Sequence, residues 1–114
     1  MELYPEHPRA PEAKRRMDAL TDRLAEKRWR SGRLYFRLKQ YDAAEFYFRS
    51  VIQTYPTSPW AFESQLYLAD VLIRKKKVAE AVTVLRAVGE SIASADVKAR
   101  AERRLKEIKG DGDP

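Results

Sequence analysis

Side chains capable of covalent or acid–base chemistry are few in this sequence and poorly grouped. It contains one histidine, His7, and no cysteine, so a zinc site, a thiolate nucleophile or a serine triad lacks its parts. The nearby acid pairs are Asp18 with Asp22 and Glu102 with Glu107. Exposed helical carboxylates at such spacings are commonplace, and nothing around either pair marks it as a general acid and base. The closest glycines, Gly110 and Gly112, stand at the C-terminal end, which leaves no glycine-rich loop to cradle a phosphate. The expectation is a non-enzymatic protein with no catalytic residue, no cofactor and no metal.

Charge is the chemistry that remains. The net charge is +6, and residues 9–37 hold ten lysines and arginines against four acids, a surplus equal to the whole net charge. Within that stretch Arg16, Arg23, Lys27, Arg30 and Arg37 recur at spacings that place them on a narrow arc of one helix. Such an arc suits phosphates, anionic lipid headgroups or an acidic partner. It equally suits a solvated helix back braced by acids such as Glu26, four residues before Arg30. No recognition motif accompanies the charge, which argues against nucleic acid. Lys75, Lys76 and Lys77 follow a helix C-terminus, where cations are favoured, and are expected to form a solvated turn.

The elements that position these groups are helices. At 114 residues the chain is one domain's length. Hydrophobic residues make up 44% and aromatics 11%, too many for a disordered chain. Four glycines and six prolines are too few turn residues for a many-stranded sheet, so the expected class is all-α. No apolar run approaches the roughly 18 residues of a membrane span. Helix 1 is expected from about Ala10 to Lys39 without a break, with Met17, Leu20, Leu24, Tyr35 and Leu38 as its inward stripe. Helix 2 is expected from Asp42, as N-cap, to Thr54, and helix 3 from Pro59 to Arg74. Helix 4 is placed at Val78–Gly89 and helix 5 at Asp96–Lys109, ahead of a disordered tail over 110–114.

Two internal echoes organise these helices. Gly32, Tyr35, Ala44, Phe48 and Val51 have small or apolar counterparts 37 residues later, at Ala69, Leu72, Ala81, Leu85 and Val88. Tyr4-Pro5-x-x-Pro8-x-Ala10-x-Glu12 returns as Tyr55-Pro56-x-x-Pro59-x-Ala61-x-Glu63, an offset of 51. Residues 1–9 therefore look like the tail of a preceding repeat. The second offset exceeds the first by 14 residues, about four helical turns, so the insertion lengthens helix 1 without rotating its faces.

Gly32-x2-Tyr35, Ala44-x3-Phe48 and Pro56 follow the tetratricopeptide signature, although the repeat is 37 rather than 34 residues long. The chain resembles that family, which implies helical hairpins stacked as a short right-handed solenoid. About two repeats plus a terminal helix would form one domain over 1–109. The turn Tyr55-Pro56-Thr57-Ser58-Pro59-Trp60-Ala61 and the run Tyr35 to Ala44 further resemble the C-terminal half of the BamD-type outer-membrane assembly lipoproteins.

That resemblance implies a scaffold for protein or peptide segments, with other outer-membrane assembly components as partners, at the periplasmic face of the outer membrane. The family's signal peptide and lipid-bearing cysteine are missing from this sequence, so it is expected to be an excised piece; otherwise a cytoplasmic location follows. It also implies a concave partner groove on the first helices of the hairpins: Trp29, Arg33, Phe36 and Arg37 on helix 1, continued by Leu66, Asp70, Ile73 and Arg74 on helix 3. Trp60, in the turn, is read as a packing plug. The competing readings are another cell-envelope coordinator of the same architecture, and a binder of anionic polymers or lipid surfaces through Arg16, Arg23, Lys27 and Arg30.

Overall fold

Prolines and short polar turns cut the chain into segments of strong helix formers, and each segment folds as a helix. The computed structural model describes residues 10–112, with side chains from 11 to 108. The expected repeat tail over residues 1–9 and the last two residues of the expected disordered tail lie outside that range. The described residues form α1 (Ala10–Arg37), α2 (Tyr41–Thr54), α3 (Pro59–Arg74), α4 (Val78–Gly89) and α5 (Ala95–Gly112), with no strand among them. The all-α expectation holds, and α1 runs unbroken through Thr21 and Asp22. Helix α5 continues to Gly112, three residues past its expected end.

Turn chemistry sets the boundaries. Ser58 caps α3 by accepting a hydrogen bond from the Trp60 backbone N–H at 3.2 Å, and Pro59 follows at the first helical position, where a missing N–H costs nothing. Helix α2 begins one residue before Asp42, at Tyr41, with no side-chain cap. Asp42 is instead drawn into an ion pair with Lys75 at 2.6 Å. The α1–α2 and α3–α4 turns are copies of one another. Lys39 (φ 62°) and Lys76 (φ 64°) take the left-handed conformation at positions 37 residues apart. At each, two backbone N–H groups reach back to the helix end: Lys39 to Phe36 and Gln40 to Tyr35, then Lys76 to Ile73 and Lys77 to Leu72.

Each helix packs on the next, while α1 also lies on α3 and α3 on α5, which is the pattern of stacked hairpins forming a solenoid. Nine of the ten residues paired by the 37-residue echo are buried. The tenth, Tyr35, is half-buried and stacks on Tyr47 of α2 at 5.5 Å.

The inward face of α1 differs from the expected one. Ala25, Trp29 and Gly32 are buried, with Phe36 packed beside them. Met17, Leu20, Leu24 and Leu38 lie in solvent. The reason is close packing: a Cβ on Gly32 would come within 2.9 Å of three atoms of the Phe48 ring, so the two helices meet at the small residues rather than across the leucines. The first three turns of α1 touch little else and project from the stack, giving the molecule extents of 67 × 28 × 18 Å.

Candidate functional site

The first helices of the hairpins, α1 and α3, lie side by side, and α5 completes the row as a third. Together they form an open groove of about 470 Å³. Phe36, Ile73 and Ile108 supply its apolar lining, and Asp70, Arg74, Arg103, Arg104 and Glu107 its charge.

Of the eight residues expected in a partner groove, the structure brings four together here: Phe36, Asp70, Ile73 and Arg74. Arg33 and Arg37 stay on the surface of α1 nearby, with Arg33 over the Trp29 ring at 4.8 Å. Trp29 and Leu66 do not belong to the groove surface. Leu66 is fully buried and Trp29 is only 7% exposed. Trp29 is covered by Trp60, at 4.7 Å between ring centroids, and by the edge of Tyr67 at 5.6 Å. The two tryptophans form one aromatic plug between α1 and the start of α3, so Trp60 does the packing expected of it and Trp29 shares the task.

Asp70 faces the groove with its carboxylate already engaged. Arg104 donates to it twice, at 3.0 and 3.1 Å. Four residues earlier on α5, Arg100 donates twice to Glu63, at 2.6 and 2.9 Å, a hydrogen bond that raises the Arg100 pKa above its ordinary value. These paired forks fix α5 along α3. Arg74 and Arg103, by contrast, make no ion pair within the described residues, and Arg74 sits over the Phe36 ring at 5.9 Å. The groove therefore presents an apolar strip beside two uncommitted guanidinium groups, a surface suited to a peptide that brings carboxylates and aliphatic side chains.

The α5 contribution, Arg103, Arg104, Glu107 and Ile108, was missed in the sequence. The connection Glu90–Ser94 lacks the Tyr-Pro-x-Ser-Pro pattern that marks the α2–α3 turn, so the internal echo fades before the third unit. The pairing of Glu63 and Asp70 on one helix with Arg100 and Arg104 on another was the signal that could have restored it.

A second cluster ties the opposite side of the stack. Glu45 accepts from Arg49 and from Lys75, each at 2.8 Å, and Arg49 reaches on to Glu80 at 2.8 Å. Burial pushes the Glu45 pKa up, but the hydrogen bonds and charges of Lys75 and Arg49 outweigh it and hold the group below its ordinary 4.5. Lys75 thus leaves the expected solvated turn, while Lys76 and Lys77 remain exposed. On the basic arc, Arg16 pairs with Glu12 at 3.6 Å and Arg30 with Glu26 at 2.6 Å, whereas Arg23 and Lys27 are exposed without an ion pair among the described residues.

Among the described residues no helix is long and apolar enough to cross a membrane, and no group of three or more His, Asp or Glu side chains gathers as a metal site would require. Comparison with curated proteins finds no match. A family model described as tetratricopeptide repeat matches residues 35–102, more than half of the chain.

Proposed function

The chain belongs to the tetratricopeptide repeat family, whose members are protein–protein interaction scaffolds, and from that premise we propose that it holds an acidic, partly aliphatic partner segment in the groove between α1, α3 and α5. The observation that carries this reading is the pair Arg74 and Arg103, which make no ion pair among the described residues, beside Phe36, Ile73 and Ile108. The groove is built on helices locked by the Arg100–Glu63 and Arg104–Asp70 forks, so a docking peptide meets a preformed surface and little ordering cost falls on this side. The mechanism is adhesion, with no chemical step.

A labelled peptide of about ten residues rich in Leu and Glu tests it by fluorescence anisotropy. Arg74→Glu with Arg103→Glu should weaken capture at least tenfold, about 1.4 kcal/mol, and Phe36→Ala should weaken it too. Unchanged affinity in both would remove the groove as the site.

The family setting we propose is the periplasmic machinery that inserts β-barrels into the outer membrane, where a BamD-like protein scaffolds other assembly components. Its support is the turn Tyr55-Pro56-Thr57-Ser58-Pro59-Trp60-Ala61 together with the lengthened α1. Affinity capture from a Gram-negative envelope extract should retain β-barrel assembly components, and the groove double variant should release them. Retention of none of them would discard this setting while leaving the peptide result to judge the groove.

A further inference from the structure

The face of α1 that holds its leucines has a counterpart whose fate in the fold is known. Seam positions recur along α1 in alternating steps of four and three: Ala13, Met17, Leu20, Leu24, then Lys27 and Ser31, then Leu34 and Leu38. The five large apolar members are between 45% and 68% exposed. Four positions of this seam, 24, 27, 31 and 34, correspond at the 37-residue offset to Ala61, Ser64, Leu68 and Val71 of α3. Every one of those is buried in α3, which packs against α2 as well as α1, α4 and α5. Among the described residues, the face that α3 buries is exposed on α1 from Ala13 to Leu34, except at the half-buried Ser31, over roughly 33 Å at 1.5 Å per residue.

Charge says what fits there. One flank of the seam carries Arg16, Arg23, Arg30 and Arg37, one per heptad, of which Arg16 and Arg30 also pair with Glu12 and Glu26; the other carries Lys14, paired with Asp18, and Arg28, which donates to Ser50 of α2. A second copy of this chain would set arginines against arginines or against Lys14 and Arg28 in either orientation, which opposes pairing. The apolar strip is a narrow seam of aliphatic and Met side chains without Trp or Phe, closer to a coiled-coil edge than to the broad face of a lipid-surface helix.

We propose that this edge of α1 docks an amphipathic helix from another polypeptide, one with a leucine-type seam flanked by Glu or Asp, in the position that α2 holds on α3. The basic arc is then neither a solvated back nor a polymer site but the charged margin that selects the partner and excludes self-association. This surface is separate from the α1–α3–α5 groove, and the two can fail independently.

Two synthetic helices of about 28 residues, both with Leu at the seam positions, provide the test. One carries Glu and the other Lys at the flanking positions. Titrated by fluorescence anisotropy against the full chain, the Glu helix should bind at least tenfold more tightly than the Lys helix, a comparison that needs no variant. Arg16→Glu with Arg23→Glu should reverse that preference, and Leu20→Asp with Leu24→Asp should abolish binding of the Glu helix; circular dichroism checks that the variants keep their helix content. Equal binding of the two helices, or binding that survives Leu20→Asp with Leu24→Asp, overturns the proposal. A dimer in sedimentation that Leu24→Asp dissolves would assign the seam to a second copy. Attachment to phosphatidylglycerol vesicles without capture of the Glu helix would assign it to a membrane surface.

Discussion

Gly32 is where the α1–α2 contact is tightest. An added Cβ would stand 2.7 Å from one Phe48 ring atom and 2.9 Å from two others. Phe48 is fully buried and stacked on Tyr67 at 5.5 Å, so the ring has no free volume into which to retreat. Gly32→Ala gains roughly 1 kcal/mol of helix propensity but forces overpacking of about 1–3 kcal/mol. The expected result is a net loss of about 1 kcal/mol, seen as a lower urea midpoint; a rise would mean that the two helices are not in close contact. This residue was legible in the sequence because a small side chain recurs 37 positions later at Ala69. Trp29 was half legible. Its distance from the leucine stripe showed that it does different work, but only the coordinates show Trp60 folding over it. Large aromatics signal burial and recognition equally well, and deciding between them requires knowing what the turn places above them.

At the scale of elements, the leucines of α1 misled because periodicity identifies an apolar face without saying whether a neighbour is present to cover it. On α3 the echoed positions Ala69 and Leu72 are buried, since α2 and α4 both lie against that helix, and Leu66, expected in the groove, is buried with them. The helix ends show a different limit. The left-handed lysines Lys39 and Lys76 close their helices where glycine would be the ordinary choice, so no glycine announced these turns. What holds the α2 to α4 side together is the chain Asp42, Lys75, Glu45, Arg49 and Glu80. Burial raises the Glu45 pKa, the bonds to Lys75 and Arg49 lower it by more, and the net folded value is below 4.5. A depressed folded pKa means that Glu45 contributes stability above pH 4.5, which is lost as the pH falls through the lower folded value. Glu45→Gln should therefore be less stable than the parent at pH 7 and should show a shallower loss of thermal midpoint below pH 4.5. Parallel curves for the two proteins from pH 7 to pH 3 would show that Glu45 does not drive the acid dependence.

The whole molecule is a one-dimensional stack with α3 at its centre. Helix α3 touches all four others, while α1 and α5 each lie at an end of the row. It also contributes more of the fully or nearly fully buried residues than any other helix, including Leu66, Leu68, Ala69, Val71 and Leu72. In such stacks stability is a sum of each unit's own terms and those of its neighbours, so the ends open before the middle. The first three turns of α1 are the extreme case. Residues 11–20 are all exposed, and a helix segment of that length without tertiary contacts is marginal in water. Amide hydrogen exchange should accordingly be fastest over residues 11–22, intermediate in α5, and slowest in α3. Adding the Glu-flanked helix should slow exchange in 11–22 by at least tenfold if the bare edge of α1 is its seat, because covering the seam supplies the contacts that this segment lacks. An acidic peptide in the α1–α3–α5 groove should instead protect α5 and leave residues 11–22 unchanged, so one exchange map separates the two surfaces.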